Sequence, residues 1–262
     1  EKESRGIHGG PGGAIFKALF EQGDFQTPWF FVHSAYILPG GGIGHHRHDN
    51  CEEIFVTVDN ASQFTHNGRT AEITGGAAVP LRRGESHAIY NHTDQKTRFY
   101  NFNVVMQGLD ADGFDFGETR VDVPLESMDR LPIGRFDRSV LQYKRLHGGK
   151  GQAGRREIWG PHDFQTNFRL LVHCLLPAGT SIGHHRHKTM EECYIVMNGS
   201  GRITAGNETE EVHAGDAVLH PPEEPHGIYN HTQADLELFV VGVSTEKGQF
   251  DQEDLDDDLS RR

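Results

Sequence analysis

The sequence is poor in the features that would place it in a membrane or on nucleic acid. No apolar run approaches the roughly 18 residues that a membrane helix needs, and the start at Glu1-Lys2-Glu3 carries no signal-peptide core. Positive charge is scarce: 25 Lys and Arg stand against 38 Asp and Glu, a net charge of −13 at pH 7. No basic stripe is present, so a phosphate backbone is an unsuitable partner. Cysteine is scarcer still. Cys51, Cys174 and Cys193 are an odd number at irregular spacing, which does not make a disulfide framework and favours a reducing, cytoplasmic location.

The abundant residues are 18 histidines and 32 glycines in 262 residues. The length suits two domains of average size. A repeat settles their relation. Gly44-His45-His46-Arg47-His48 recurs as Gly183-His184-His185-Arg186-His187, an offset of 139. The same offset links Glu53 to Glu192, His87 to His226, and Ile89-Tyr90-Asn91-His92-Thr93 to Ile228-Tyr229-Asn230-His231-Thr232. It also links His8-Gly9-Gly10 to His147-Gly148-Gly149, and Asp24-Phe25-Gln26-Thr27 to Asp163-Phe164-Gln165-Thr166. One register held over so many landmarks implies a duplication with almost no net insertion. We expect an N-terminal domain over residues 1–125 and a C-terminal domain over residues 126–262. Within the latter, residues 249–262 read as an acidic, flexible tail without a binding role.

Within each copy the apolar runs are short and bounded by turn residues. Ile54–Val58, Ala77–Leu81 and Phe99–Met106 match Cys193–Met197, Ala217–Leu219 and Leu236–Val243. Asn67-Gly68, Gly75-Gly76, Gly206-Asn207 and Pro221-Pro222 separate them. This is the pattern of an all-β antiparallel sandwich or barrel, with helix limited to short turns such as Ala14–Glu21. Residues from Met106 to about Arg138 have no counterpart of equal length after the second copy and read as the crossover. There Phe114, Phe116, Val121, Val123 and Leu125 alternate at strand period, as an edge strand would.

In a strand, residues i and i+2 share a face, so His46 projects with His48 and His185 with His187. Paired imidazoles are natural ligands of first-row divalent metals. His87 and His226 each follow 39 positions later, far enough for a returning strand to bring a third imidazole. A carboxylate completes the set, from Glu52 or Glu53 in the first copy and from Glu191 or Glu192 in the second. Parity does not choose between them.

Both copies resemble the two motifs of the cupin superfamily. The first motif is a pair of histidines one residue apart, then a glutamate and a closing glycine. The second is a glycine, a Pro-X-Gly turn, a histidine and an asparagine. His185, His187, Glu192 and Gly199 fit the first motif, and Gly215, Pro221, His226 and Asn230 fit the second, with Glu223 in place of a glycine. In the first copy His46, His48 and Glu53 fit, with Asn60 replacing the closing glycine. Gly76, Gly84, His87 and Asn91 fit the second motif there, with Arg82 replacing the proline. The closing Gly199 favours Glu192 over Glu191, and hence Glu53 over Glu52. The resemblance implies a bicupin: two tandem double-stranded β-helix (jelly-roll) barrels, with metal ligands His46, His48, Glu53 and His87 in one and His185, His187, Glu192 and His226 in the other.

Other residues carry weaker expectations. His45 and His184 alternate away from the ligand face, and His33 and His173 differ in parity; all four read as structural. Glu52 and Glu191 read as exposed, or as hydrogen-bonded to a ligand histidine. Asn91 and Asn230 read as turn braces. Phe55 and Tyr194 read as pocket lining or core. Asn101 and Asn103, facing Val240 and Gly242 across the repeat, suggest a wetter first pocket. The His-Gly-Gly and Asp-Phe-Gln-Thr strings read as loop fixtures, or as an arm that brings His8 or His147 over a pocket.

Three imidazoles and a carboxylate leave open positions on an octahedral ion, which favours catalysis over a closed structural site. The function expected first is a metal-dependent enzyme acting on a small oxygenated organic molecule, an oxygen-dependent oxidoreductase of the dioxygenase type. A sugar isomerase, decarboxylase or lyase is the alternative, and a non-catalytic ligand-binding or sensor barrel the third reading. Iron, manganese, nickel, copper and zinc all suit the ligands, at up to two ions per chain. The expected partner is a small-molecule substrate, with neither nucleic acid nor membrane; a homo-oligomer stays open. No catalytic residue beyond the ligands is indicated.

Overall fold

The computed structural model describes residues 1–117, 121–256 and 258–262. The chain forms two compact units, the first of residues Glu1–Asp24, Pro28–Phe136 and Asp163–Thr166, the second of Phe25–Thr27, Asp137–His162 and Asn167–Arg262. The pairing of Gly134 and Arg135 with Ala78 and Ala77 keeps the chain to Phe136 with the first unit.

The first unit contains β1 (Lys2–Arg5), β2 (Gly13–Glu21), β3 (Trp29–Ile37), β4 (Gly42–Arg47), β5 (Cys51–Thr57), β6 (Ala61–His66), β7 (Arg69–Thr74), β8 (Ala77–Leu81), β9 (Ser86–Tyr90), β10 (Thr97–Val105), β11 (Phe114–Asp115) and β12 (Gly134–Arg135). Among the described residues they make an antiparallel sheet in the order β1-β2-β3-β10-β5-β8-β12 and a second in the order β11-β4-β9-β6-β7. The second unit contains β13 (Gln142–Lys144), β14 (Ala153–Trp159), β15 (Phe168–Leu176), β16 (Ser181–Arg186), β17 (Met190–Asn198), β18 (Ser200–Ala205), β19 (Glu208–His213), β20 (Ala217–His220), β21 (His226–Tyr229), β22 (Leu236–Ser244) and β23 (Glu253–Asp254). Its sheets run β13-β14-β15-β22-β17-β20 and β19-β18-β21-β16-β23. Each unit is a jelly roll of two sheets.

Both faces of the central strands are covered. β22 is buried throughout its length, and β5 likewise. Ile43, Phe55, Phe64, Val79, Ile89 and Phe99 lie in one core cluster; Ile182, Tyr194, Ile203, Ile228 and Leu238 lie in its counterpart. Turns explain the departures from the motifs. Asn60 (φ 53) and Gly199 (φ 81) occupy the same left-handed position of the repeat, as do Gly84 (φ 78) and Glu223 (φ 69). Asparagine tolerates that conformation better than glutamate does.

Three expectations are corrected. Ala14–Glu21 is not a helical turn: β2 spans Gly13–Glu21 and pairs with β1 on one side and β3 on the other, so sheet pairing overrides local propensity. The edge strand foreseen over 114–125 is limited to Phe114–Asp115 on β4 and an isolated bridge of Leu125 with Thr70; its residues 118–120 lie outside the described residues. The C-terminal segment is not a free tail. Glu253 and Asp254 pair with Arg186 and His185, and Leu259 is buried; residue 257 of that call lies outside the described residues. Its docking obeys the repeat, since Asp115 and Asp254 sit 139 apart and add the same edge strand to β4 and β16.

His173 is structural, as expected. It is fully buried on β15 and its Nε2 donates to Glu237 Oε1 at 2.7 Å, while Arg138 Nη2 donates to Glu237 Oε2 at 2.5 Å. Burial alone would raise the Glu237 carboxyl, but the bonds from His173 and Arg138 prevail and hold it at about 2, against an ordinary 4.5. A carboxyl lowered on folding stabilises the fold above its unfolded value and ceases to do so as pH falls through the folded one. The stability difference between wild type and Glu237→Gln is therefore expected to be constant above about pH 5 and to shrink between pH 4.5 and 2. Urea melts across that range check it, and a difference independent of pH would contradict the assignment.

Candidate metal centres

In the first unit β4 and the residue after it carry His46 and His48, β9 carries His87, and β5 carries Glu53. His46 lies directly across from His87 in the β4–β9 pairing. The four side chains are buried, and one ligand atom from each lies within 4.8 Å of all the others. His87 Nε2 is 3.2 Å and His48 Nε2 3.5 Å from Glu53 Oε2. Backbone carbonyls take the opposite ring nitrogens: His46 Nδ1 donates to Gly44 O at 2.7 Å, His87 Nδ1 to Glu85 O at 3.3 Å, and His48 Nδ1 to Asp112 O. These bonds fix the tautomers and turn the Nε2 lone pairs toward one point, as metal ligands require.

The second unit repeats the arrangement. His185, His187, Glu192 and His226 converge within the same limit. His226 Nε2 is 3.2 Å and His187 Nε2 3.8 Å from Glu192 Oε2. His185 Nδ1 donates to Gly183 O at 2.8 Å, His226 Nδ1 to Glu224 O at 2.9 Å, and His187 Nδ1 to Asp251 O. The two aspartates serving His48 and His187 are 139 apart.

The electrostatics suit a cation. Burial, with His87 beside it, pushes His46 down to about 2, so its imidazole is neutral. His185 is likewise driven well below its ordinary value by burial and His226. Despite burial, Glu53 is held well below the carboxylate range by His48 and His87, and Glu192 by His226 and His187. An ionised carboxylate in a buried site demands a counter-charge. Despite burial, Cys51 and Glu53 hold His48 up at about 11, so its imidazole carries a proton that a bound divalent ion would displace. Three imidazoles and one carboxylate with free lone pairs fit a divalent first-row ion in each unit.

The two centres differ around the carboxylate. In the first, Asn101 Nδ2 and Asn103 Nδ2 donate to Glu53 Oε1 at 2.9 and 3.2 Å. The polarity expected to wet a pocket is thus spent on the ligand. Val240 and Gly242 stand at those positions in the second unit, and an added Cβ on Gly242 would meet Met190 Sδ at 2.9 Å. Met190 in turn replaces Cys51, so bulk has moved from one strand to its neighbour. Phe55 packs edge-on to His87 at 5.2 Å. Its counterpart Tyr194 packs edge-on to His226 at 5.8 Å and lines a cavity of about 380 Å³ that reaches His187 and Glu192. Lys144, Arg145 and Arg155 also line it.

Other residues fall into place. His45 packs against Phe116 at 4.8 Å, away from the ligands. Asn91 braces its turn through Ile37 O, Gln95 O and Thr93 N, and Asn230 does the same. His33 is closer to the site than its structural reading allowed: it pairs with Asn101, and its counterpart Val172 lines the cavity. Glu52 and Glu191 are neither exposed nor bonded to a ligand histidine. Glu52 accepts from Gln165 N, Thr166 N and Thr166 Oγ1. Glu191 accepts from Gln26 N, Thr27 N and Thr27 Oγ1. The Gln-Thr halves of the repeated Asp-Phe-Gln-Thr strings cap these carboxylates. His220 was missed: it is fully buried and stacks on His226 at 4.2 Å. Leu81 holds that position in the first copy, so the repeat gave no signal.

Comparison with known proteins agrees with this geometry. Residues 172–242 match the cupin domain family. An uncharacterized protein of Methanocaldococcus jannaschii is 34% identical over 83 residues, 32% of this chain and 66% of that protein. The oxalate-binding protein of Thermotoga maritima is 29% identical over 96 residues, 37% of this chain and 79% of that protein. Among solved structures, salicylate 1,2-dioxygenase from Pseudaminobacter salicylatoxidans superposes with a TM-score of 0.67 at 16% identity, covering 87% of this chain and 76% of that one. Oxalate decarboxylase from Bacillus subtilis gives 0.64 at 14% identity, covering 93% and 74%. With two jelly-roll units, a family match in the second and a His₃Glu cluster in each, the chain carries a cupin domain over residues 172–242 and has the two-barrel fold of a bicupin.

Proposed function

We propose that the protein is a metal-dependent enzyme in which His46, His48, Glu53 and His87 hold one divalent ion and His185, His187, Glu192 and His226 a second, and that the second centre oxidises a small carboxylate with molecular oxygen. The observation that carries this reading is the cavity of about 380 Å³ onto which His187 and Glu192 open. Such a volume suits a small organic molecule. Its wall offers Lys144 and Arg155, and Lys144 has no ion-pair partner among the described residues. In the first unit Phe16 replaces Arg155. A bound ion would supply Lewis acidity and, if redox-active, one-electron chemistry. The protein's own part is to anchor the anion through Arg155 and Lys144, and to keep bulk water from the reacting face with Tyr194 and Val240. The three named relatives and neighbours, for oxalate and salicylate, support a small carboxylate. Free, buried Cys51, Cys174 and Cys193 suit a reducing compartment, which we take to be the cytoplasm.

The test is an oxygen electrode, with metal-loaded protein offered a panel of small carboxylates. Oxygen consumption matched to substrate loss is expected. Arg155→Met is expected to raise KM about ten-fold or more with kcat little changed, the size of one lost charge-assisted bond. Product formed without oxygen uptake would replace this reading by a decarboxylase or lyase, which the likeness to oxalate decarboxylase favours as second choice. Saturable binding without turnover would make the protein a sensor.

A further inference from the structure

Beside each metal centre lies a histidine that the ligand set does not use. His147 stacks on His185 with ring centroids 3.7 Å apart, and His8 stacks on His46 at the same distance. Each is held by an aspartate of the docked edge strand: His147 Nδ1 lies 3.2 Å from Asp254 Oδ1, and His8 Nδ1 2.6 Å from Asp115 Oδ1. Both histidines adopt φ 49, a left-handed conformation rare for a non-glycine residue. Neighbouring glycines would adopt it at no cost. Strain of this kind persists where the surroundings enforce it, and it gathers at functional sites. The ligand strands are shaped to admit the arm. An added Cβ on Gly183 would lie 1.9 Å from His147 O, and one on Gly44 2.0 Å from His8 O.

A carboxylate only accepts hydrogen bonds, so Asp254 fixes the proton of His147 on Nδ1 and leaves a lone pair on Nε2. Nε2 has no hydrogen-bond partner among the described residues, and His147 and Asp254 both line the cavity that reaches His187 and Glu192. We infer that His147 is a substrate-contacting residue of the second centre, a hydrogen-bond acceptor that selects carboxylates bearing a hydroxyl group, and that Asp254 is the positioning residue that keeps it an acceptor. The inference rests on the proposed function, because it takes the cavity as the site of a small anion. It adds the second recognition element: charge at Arg155 and Lys144, a hydroxyl at His147.

The test compares glycolate with methoxyacetate, which keeps the carboxylate and the second oxygen but cannot donate. Isothermal titration is run on metal-loaded protein in a His46→Ala background, so that one centre is read. A preference for glycolate of about ten-fold is expected, the size of one net hydrogen bond. His147→Phe keeps a ring to stack on His185 and should bring the ratio to within about two-fold, with metal content unchanged. Asp254→Asn serves as the second variant. Its amide can donate to Nδ1 as well as accept from it, so Nε2 is no longer held as an acceptor and, as an N–H, is satisfied by ether or hydroxyl oxygen alike; the ratio should fall while melting temperature and metal content hold. Equal binding of the two acids by the parent, or a preference that survives both variants, overturns the inference and leaves the proposed function standing. Failure of both acids to bind the metal-loaded parent overturns both.

Discussion

Replacing His185 with alanine is expected to lower the bound divalent metal from about two ions per chain to one, and His46→Ala to do the same at the other centre. The two tetrads share no residue, so each loss should be independent and the double variant should hold none. The effect should be large because a ligand cannot be replaced by water without cost here. His185 is buried, its Nδ1 is committed to Gly183 O, and the remaining Glu192 would share a buried cavity with a less well-held charge. A bound ion at 1,000 times its dissociation constant stabilises the fold by about 4 kcal/mol, so each variant should also melt several degrees lower in the presence of metal and converge on the wild type after chelation. Elemental analysis of untagged protein together with melting curves reads both effects. Two ions retained in each variant would remove the basis of the metal reading. A loss in only one variant would identify the single centre that carries metal.

Much of this site was legible in the sequence for a physical reason. Metal ligation constrains residue type, and strand alternation constrains spacing, so His46, His48 and His87 with their copies at 185, 187 and 226 announce themselves twice. Parity could not choose between Glu52 and Glu53, because the turn at Asp49-Asn50 resets the phase; the family motif and then the fold did. What stayed hidden were residues whose role depends on contacts distant in sequence. Asp254 reads as part of an acidic tail until β23 is seen on β16. Its counterpart Asp115 reads as linker until β11 is seen on β4. The offset of 139 already joined them, but the segments around them differ in length and composition and masked the match. His220 had no counterpart to expose it. Ala14–Glu21 was misread because its apolar residues obey no clean period, and two neighbouring strands decided its conformation.

Glu52→Ala is expected to destabilise the first unit by about 1–3 kcal/mol, the cost of leaving buried hydrogen-bond donors without their acceptor. Glu52 is fully buried and accepts from Gln165 N at 2.8 Å, Thr166 N at 2.7 Å and Thr166 Oγ1 at 2.6 Å. Alanine leaves the two Thr166 donors buried and unsatisfied and takes the partner from the half-buried Gln165 N. Glu191→Ala should cost less, since its bonds from Gln26 N and Thr27 N are longer, both at 3.2 Å, with only Thr27 Oγ1 close at 2.7 Å. Burial also pushes the Glu191 carboxyl up, because its bonds from Thr27 and Gln26 only partly offset the loss of solvent. Glutamine should recover part of each loss, because its carbonyl oxygen still accepts. Urea melts of the four variants give the order. Metal content separates this role from ligation: side chains of Glu52 and Glu53 leave opposite faces of β5, so Glu53→Ala should lose the ion, whereas Glu52→Ala, kept below its melting temperature, should retain two ions per chain. Loss of metal from Glu52→Ala at full folding would mean that the carboxylate serves the centre after all; retention with a large drop in stability would confine it to holding the Asp163–Thr166 segment in place.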